Sequence, residues 1–186
     1  MAPRGTLPDL WLISDRRNDH VLDHVLRALT ERVAFIFRHY HLAPEARRAR
    51  FAQVRRICRE RDHLVILADS PQTAKEWGAD GIYGAPRALA PRRTGLLRVA
   101  TAHDLREIGL ANRARADAVI LSPVFPTRSH PGAATLGPLR FRTMAQHALM
   151  PVIALGGMSV ARASAMRWPR WAAIDGLSTD YARPVS

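Results

Sequence analysis

Short apolar runs alternate with segments of helical period along the whole chain. The runs cover 10–13, 33–37, 64–68, 81–83, 97–101, 118–121, 152–155 and 172–174. Each is almost continuously apolar and of strand length, the pattern of strands buried on both faces. Between them lie stretches such as 44–61, where Ala46, Ala49, Phe51, Val54, Ile57 and Cys58 recur at helical spacing and arginines fill the other positions. Pro44 suits the first turn of that helix. Further helices are predicted at 19–30, 71–77, 103–114, 139–148 and 159–168.

Eight strands alternating with helices predict a parallel sheet, and the count of eight favours closure into a (β/α)8 barrel, an α/β fold of the TIM type, over an open sheet. No linker, repeat or low-complexity tract interrupts the pattern, so 1–186 reads as a single domain. The 186 residues fall a little short of the roughly 200 usual for such a barrel. Two places account for the difference: the link from Tyr83 to Leu97 predicts an abbreviated fourth helix, and the polar tail 175–186 predicts a missing or reduced last helix.

Composition narrows the chemistry. The chain carries 28 Lys and Arg against 16 Asp and Glu, a formal charge of +12. Lys75 is the one lysine, and it sits in the polar stretch Gln72-Thr73-Ala74-Lys75-Glu76 of a helix surface. Schiff-base chemistry needs a desolvated lysine amine, so aldolase-type catalysis is not expected. Cys58 is the single cysteine, which excludes an internal disulfide and a Cys-rich metal site. The charge raises a nucleic-acid or polyanion partner as a possibility. The arginines are nevertheless scattered over many helices and only 6% of residues are aromatic, which argues against a nucleic-acid partner. No apolar run reaches the roughly 18 residues of a membrane span, and Met1-Ala2-Pro3-Arg4-Gly5 lacks an apolar signal core. The expectation is a cytoplasmic protein with no membrane partner.

In a (β/α)8 barrel the chemistry sits where strands end. Polar or glycine residues found there include Ser14, Arg38, Asp69, Thr101, His103, Ser122, Gly156 and Gly157. The sharpest signal is Pro151-Val152-Ile153-Ala154-Leu155-Gly156-Gly157, an apolar strand ending in paired glycines before a helix, which predicts phosphate binding by backbone N–H groups. The eighth strand ends similarly in Asp175-Gly176-Leu177-Ser178. A second signal is the long loop Ser122-Pro123-Val124-Phe125-Pro126-Thr127-Arg128-Ser129-His130, whose hydroxyls, Arg and His suit phosphate. The cluster Arg38-His39-Tyr40-His41 lacks a third metal ligand and reads as a solvated loop.

These segments, with Gly78-Ala79-Asp80-Gly81-Ile82-Tyr83 and Thr101-Ala102-His103, together resemble the thiamine-phosphate synthase and TenI family, in matching order from Trp11-Leu12-Ile13-Ser14-Asp15 onward. The resemblance implies a (β/α)8 barrel that joins an aminopyrimidine methyl diphosphate to a thiazole phosphate and releases pyrophosphate through a pyrimidine carbocation. The task would then be to stabilise departing pyrophosphate. Arg38 matches the family's Arg after strand two, while the flanking Gln and Lys become Ile36 and Tyr40. Asp69 matches one ligand of an expected Mg2+, but Gly84-Ala85-Pro86-Arg87 holds no second carboxylate. Thr101 keeps a hydroxyl, and Thr127-Arg128-Ser129-His130 places His130 where the family has lysine. By the same resemblance, Gly156, Gly157, Leu177 and Ser178 match the loops with which the family holds the thiazole phosphate.

The resemblance thus implies small phosphorylated substrates, with a catalytic set of Arg38, Thr101, His103, Thr127 and His130, phosphate contacts from Ser122, Thr127, Gly156, Gly157, Leu177 and Ser178, and Asp69 as the metal ligand. Two roles remain open: a divergent synthase, or a TenI-like thiazole-phosphate binder or tautomerase using His103 or His130 as base. The short tail leaves one barrel flank thinly covered, which predicts a homodimer.

Overall fold

The computed structural model describes residues 6–89, 95–127, 132 and 134–174. Among them, eight parallel strands close into a barrel in chain order. They are β1 (Leu10–Ile13), β2 (Ala34–Phe37), β3 (Leu64–Leu67), β4 (Gly81–Gly84), β5 (Leu97–Ala102), β6 (Ala118–Leu121), β7 (Val152–Ala154) and β8 (Trp171–Ala173). The helices α1 (Asp19–Ala28), α2 (Pro44–Glu60), α3 (Pro71–Trp77), α4 (Pro86–Leu89), α5 (Leu105–Ala114), α6 (Gly137–Ala145) and α7 (Val160–Met166) alternate with them. Boundaries shift from the sequence pattern by one to three residues, as fraying ends do.

Alternation sorts each strand into two layers. Trp11, Ile13, Ile36, Ile66, Val99, Ile120 and Ile153 fill the barrel interior. Leu12, Phe35, Phe37, Leu67, Val119 and Leu121 point outward and pack beneath the helices with Leu26, Phe51, Val54 and Phe141. The interior accepts a Trp because its register partners are small: Trp11 lies opposite Ala34 on β2 and Ala172 on β8. Its indole N–H is satisfied by the carbonyl of Pro8 at 2.8 Å. Gly81 permits a similarly close approach, since a β-carbon there would stand 2.6 Å from the carbonyl oxygen of Leu97 on β5.

Local signals set the helix ends. Ser70, Asp104 and Ser159 each accept a backbone N–H three residues on, at 3.0, 2.7 and 3.3 Å, and cap α3, α5 and α7. Gly78 closes α3 with φ +70, the left-handed geometry glycine adopts without penalty. Among the described residues the fourth helix is one short turn, Pro86–Leu89, and Arg98 packs beside it. That buried side chain reaches from β5 to the carbonyls of Leu89 and Arg115. The predicted reduction of the last helix concerns 175–186, outside the described residues. No described helix is long and apolar enough to cross a membrane.

One register differs from the sequence expectation. The buried face of α2 is Arg47, Phe51, Val54, Ile57 and Cys58, whereas Ala46 and Ala49 are exposed. Arg47 heads this face because acceptors await its guanidinium at the ends of β2 and β3. The Cys58 thiol is pushed up to about 12 by burial and is inert.

Two histidines are buried as well. His63 accepts the N–H of Val33 and faces the carbonyl of Leu26 at 2.9 Å. His39 leaves β2 with φ +36, stacks on Phe37 and lies between Ser14 and Asp19. It is therefore a core residue and not part of a solvated loop. Burial lowers both imidazoles below their ordinary value of 6.5, so both are held neutral.

Two outcomes follow from this packing. Gly81→Ala forces the β4–β5 backbones apart and costs about 1–3 kcal/mol, read as a lower midpoint in urea unfolding. Groups whose pKa is depressed on folding contribute stability that is full above the unfolded value and is lost as pH falls through the folded one. His39 and His63 therefore make the melting temperature fall between about pH 7 and about pH 5, and a flat profile there would contradict their neutral burial.

Candidate active site at the carboxyl ends of the strands

The inward positions change character only at the ends of the strands. Two residues beyond inward Ile36, Val99 and Ile120 stand Arg38, Thr101 and Ser122, and inward Tyr83 ends β4. Period-two alternation carries these side chains to the same mouth of the barrel. Arg38 is half-buried and well held. Its backbone N–H donates to Ser14 Oγ at 2.7 Å, its Nε to the Ser14 carbonyl at 3.1 Å, and its Nη2 to Asp15 Oδ2 at 3.2 Å.

A hydrogen-bonded chain lies behind Arg38. Ser14 Oγ is 2.9 Å from His39 Nδ1, and His39 Nε2 is 2.8 Å from Asp19 Oδ1, which also receives Arg50 Nε at 2.9 Å. Ser14 Oγ already accepts the Arg38 N–H, so its hydroxyl proton is free to go to His39 Nδ1, with Nε2–H donating to Asp19. This assigns a neutral imidazole, in agreement with its burial. Burial works to raise the Asp19 carboxyl, but the His39 and Arg50 contacts outweigh it and hold it below its ordinary value. Ser14 is itself fully buried, so the chain positions Arg38 and offers no accessible nucleophile.

Asp69 follows β3 and has a donor on each carboxylate oxygen. Its Oδ2 receives Arg47 Nη1 at 2.5 Å and its Oδ1 receives the Ser70 N–H at 2.7 Å. Burial would raise this carboxyl, yet Arg47, the Ser70 amide and Thr73 keep it depressed. Asp15 is depressed chiefly by its hydrogen bond from Arg17. Among the described residues no group of three His, Cys, Asp or Glu side chains is placed to hold a metal ion. The expected Mg2+ therefore does not fit this arrangement: both Asp69 oxygens already face donors, one of them a guanidinium, and among the described residues no second carboxylate stands beside it to complete a site.

The glycine loop after β7 is set by close packing. Gly156 and Gly157 have φ +99 and +59, and β-carbons there would stand 2.7 Å from Pro123 Cα and 2.5 Å from the Pro126 carbonyl. The loop after β6 thus rests directly on the glycines, joined by Val124 N–H to the Leu155 carbonyl at 2.8 Å and Phe125 N–H to the Gly156 carbonyl at 3.0 Å. Arg162, which the sequence reading did not single out, donates to the Gly157 carbonyl and lies 4.7 Å from the centre of the Phe125 ring.

The remaining expected residues divide. Thr127 lies on the loop after β6, partly buried. His103 is on the rim, 58% exposed, with Nδ1 2.9 Å from Glu107 Oε2. His130, Leu177 and Ser178 lie outside the described residues. Sequence reasoning missed the buried roles of His39, Asp19 and Arg47. The 47, 51, 54, 58 spacing on α2 admits Arg47 to the buried face but does not choose it over Ala46 and Ala49.

As chemistry, the mouth offers a guanidinium, the hydroxyls of Thr101 and Ser122, and Tyr83. Burial pushes the Tyr83 phenol up to about 12, so it is a neutral donor. Lys75 is exposed on α3 and Cys58 is buried, so neither supplies a nucleophile to the mouth. Such a set suits binding of phosphate esters and stabilisation of a departing anion, not covalent catalysis.

The chain is 32% identical over 160 residues to the thiamine biosynthesis bifunctional protein ThiM/ThiE of Symbiobacterium thermophilum, matching 82% of this chain and 33% of that protein. It thus spans about a third of that relative's length. It is 26% identical to the putative thiamine-phosphate synthase 2 of Aquifex aeolicus, over 82% of this chain and 87% of that protein. Among solved structures, the thiamine phosphate pyrophosphorylase of Pyrococcus furiosus superposes with a TM-score of 0.73 at 25% identity, over 90% of this chain and 85% of that one. The family described as thiamine monophosphate synthase matches residues 10–176, and the chain belongs to that family.

Proposed function

We propose that the chain is a divergent thiamine-phosphate synthase. In the reaction, the bond from the pyrimidine methylene to the diphosphate breaks with its electron pair leaving on pyrophosphate, and the thiazole nitrogen closes on the methylene carbon. Arg38 would meet charge developing on the departing pyrophosphate, the step where fixed donors contribute most. Thr101 would add a hydroxyl donor to the catalytic set, and Ser122 with the Gly156–Gly157 loop would hold the thiazole phosphate. The observation that carries this reading is the family match over 10–176 together with Arg38, Thr101, Ser122 and the glycine loop at one mouth of the barrel.

A second reading is favoured by one observation, the engagement of both Asp69 oxygens. With the metal site of the pyrophosphate end altered, a TenI-like protein would retain the thiazole-phosphate end and convert thiazole tautomers without coupling. His103 or His130 would then act as base.

One assay separates the two. Purified protein given both substrates is expected to release pyrophosphate and form thiamine phosphate, and Arg38→Ala is expected to lower kcat/KM by about a hundredfold. No product above background excludes the synthase. Tautomer conversion that persists in its place, and collapses in His103→Ala or His130→Ala, establishes the second reading, whereas indifference of both variants removes it.

A further inference from the structure

Arg47 combines properties unusual for an arginine on an enzyme surface helix. It stands in the first turn of α2, yet its side chain is only 11% exposed. Nε donates to the Arg38 carbonyl at 3.0 Å, Nη2 to the Ala68 carbonyl at 3.0 Å, and Nη1 to Asp69 Oδ2 at 2.5 Å. The rings of Phe37, Tyr40 and Trp77 surround the guanidinium, with centroids 5.8, 5.5 and 5.5 Å from its central carbon. Three acceptors and three aromatic faces leave it no alternative position that does not strip partners from buried carbonyls.

A divalent cation such as Mg2+ needs near-octahedral oxygen ligands and is anchored by one or two carboxylates. The carboxylate after β3 presents one oxygen to a guanidinium and the other to the Ser70 amide. The end of β4 supplies Gly84, Ala85, Pro86 and Arg87, without a carboxylate. Asp15, at the end of β1, is engaged by Arg17 and Arg38. Among the described residues, both carboxylates that follow β1 and β3, Asp15 and Asp69, already face an arginine, and a doubly charged cation would be repelled by the one in place.

We infer that Arg47 occupies the place of a divalent cation at Asp69, so that this end of the barrel neutralises anions with protein-borne charge and without a metal. Arg47 is a positioning residue: it fixes the ends of β2 and β3, and with them Arg38, and it cancels the Asp69 carboxylate, which would otherwise oppose an incoming anion. The inference goes beyond the proposed reaction and does not depend on turnover.

Titration of the purified full chain with Mn2+, followed by electron paramagnetic resonance, tests it directly. The expected result is the undiminished signal of the aqua ion up to about millimolar metal, with inorganic pyrophosphate bound in the presence of EDTA. Arg47→Met keeps the packing against the rings and unmasks Asp69, so Mn2+ affinity is expected to rise about tenfold over the native chain and to fall back in Arg47→Met/Asp69→Asn. If Arg47→Met fails to fold, Arg47→Gln carries this arm. A stoichiometric Mn2+ site in the native chain that Asp69→Asn removes would overturn the inference. So would pyrophosphate binding that requires Mg2+, or an unaltered Mn2+ affinity in a folded Arg47 variant. Absence of coupling activity with no Mn2+ bound leaves the inference standing and counts against the synthase alone.

Discussion

Eight parallel strands closed on one another have no edge and no solvent-facing side, and this constraint governs where chemistry can sit in the molecule. A polar group carried inward at mid-strand would be buried without partners, at a cost of a few kcal/mol. Inward positions are accordingly apolar through Ile36, Val99 and Ile120, and switch to Arg38, Thr101 and Ser122 at the last step before each loop. The two-residue period that hides isoleucine in the barrel is the same period that delivers arginine to its mouth. Fold and site are two consequences of one alternation.

At that mouth, charge is balanced locally. Asp15 meets Arg17 and Arg38, Asp19 meets Arg50, and Asp69 meets Arg47. Exposed ion pairs contribute little, but Arg38 and Arg47 are largely buried and share their guanidinium hydrogens with backbone carbonyls at the strand ends. Removing one partner would leave both a charge and a carbonyl unmet. Part of the arginine content, though not the net +12 charge, is thereby explained: arginine holds the rim of the barrel together where a planar, always-charged fork can reach several acceptors at once. A lysine, with a single point charge, would not make the three contacts of Arg47 to two different strands.

The barrel was legible because it repeats. Eight apolar runs report the same two-sided burial eight times, so errors of one to three residues at their ends do not alter the count. The residues Arg38, Thr101, Ser122, Gly156 and Gly157 were legible for a related reason, since position after a strand is enough to bring them to the mouth. Arg47 was not. Helical period alone places Ala46 and Ala49 on an apolar face as readily as it places Arg47 there, and only the acceptors at Arg38, Ala68 and Asp69, distant in sequence, decide the register. His39 escaped for a similar reason: a polar cluster after a strand reads as solvated, and its burial depends on Ser14 and Asp19 from the preceding unit. The paired glycines carried a double meaning. Their composition pointed to an anion, whereas the structure adds a steric demand from Pro123 and Pro126 that no local pattern reveals.

A crystal structure of the chain soaked with thiazole phosphate, pyrophosphate and Mg2+ tests the electrostatic account most directly. The account predicts pyrophosphate against Arg38, the thiazole phosphate near Ser122 and the Gly156–Gly157 loop, and Arg47 still seated on Asp69 with no metal between them. A metal ion bound to Asp69 with Arg47 displaced, or a mouth empty of both ligands, would contradict it.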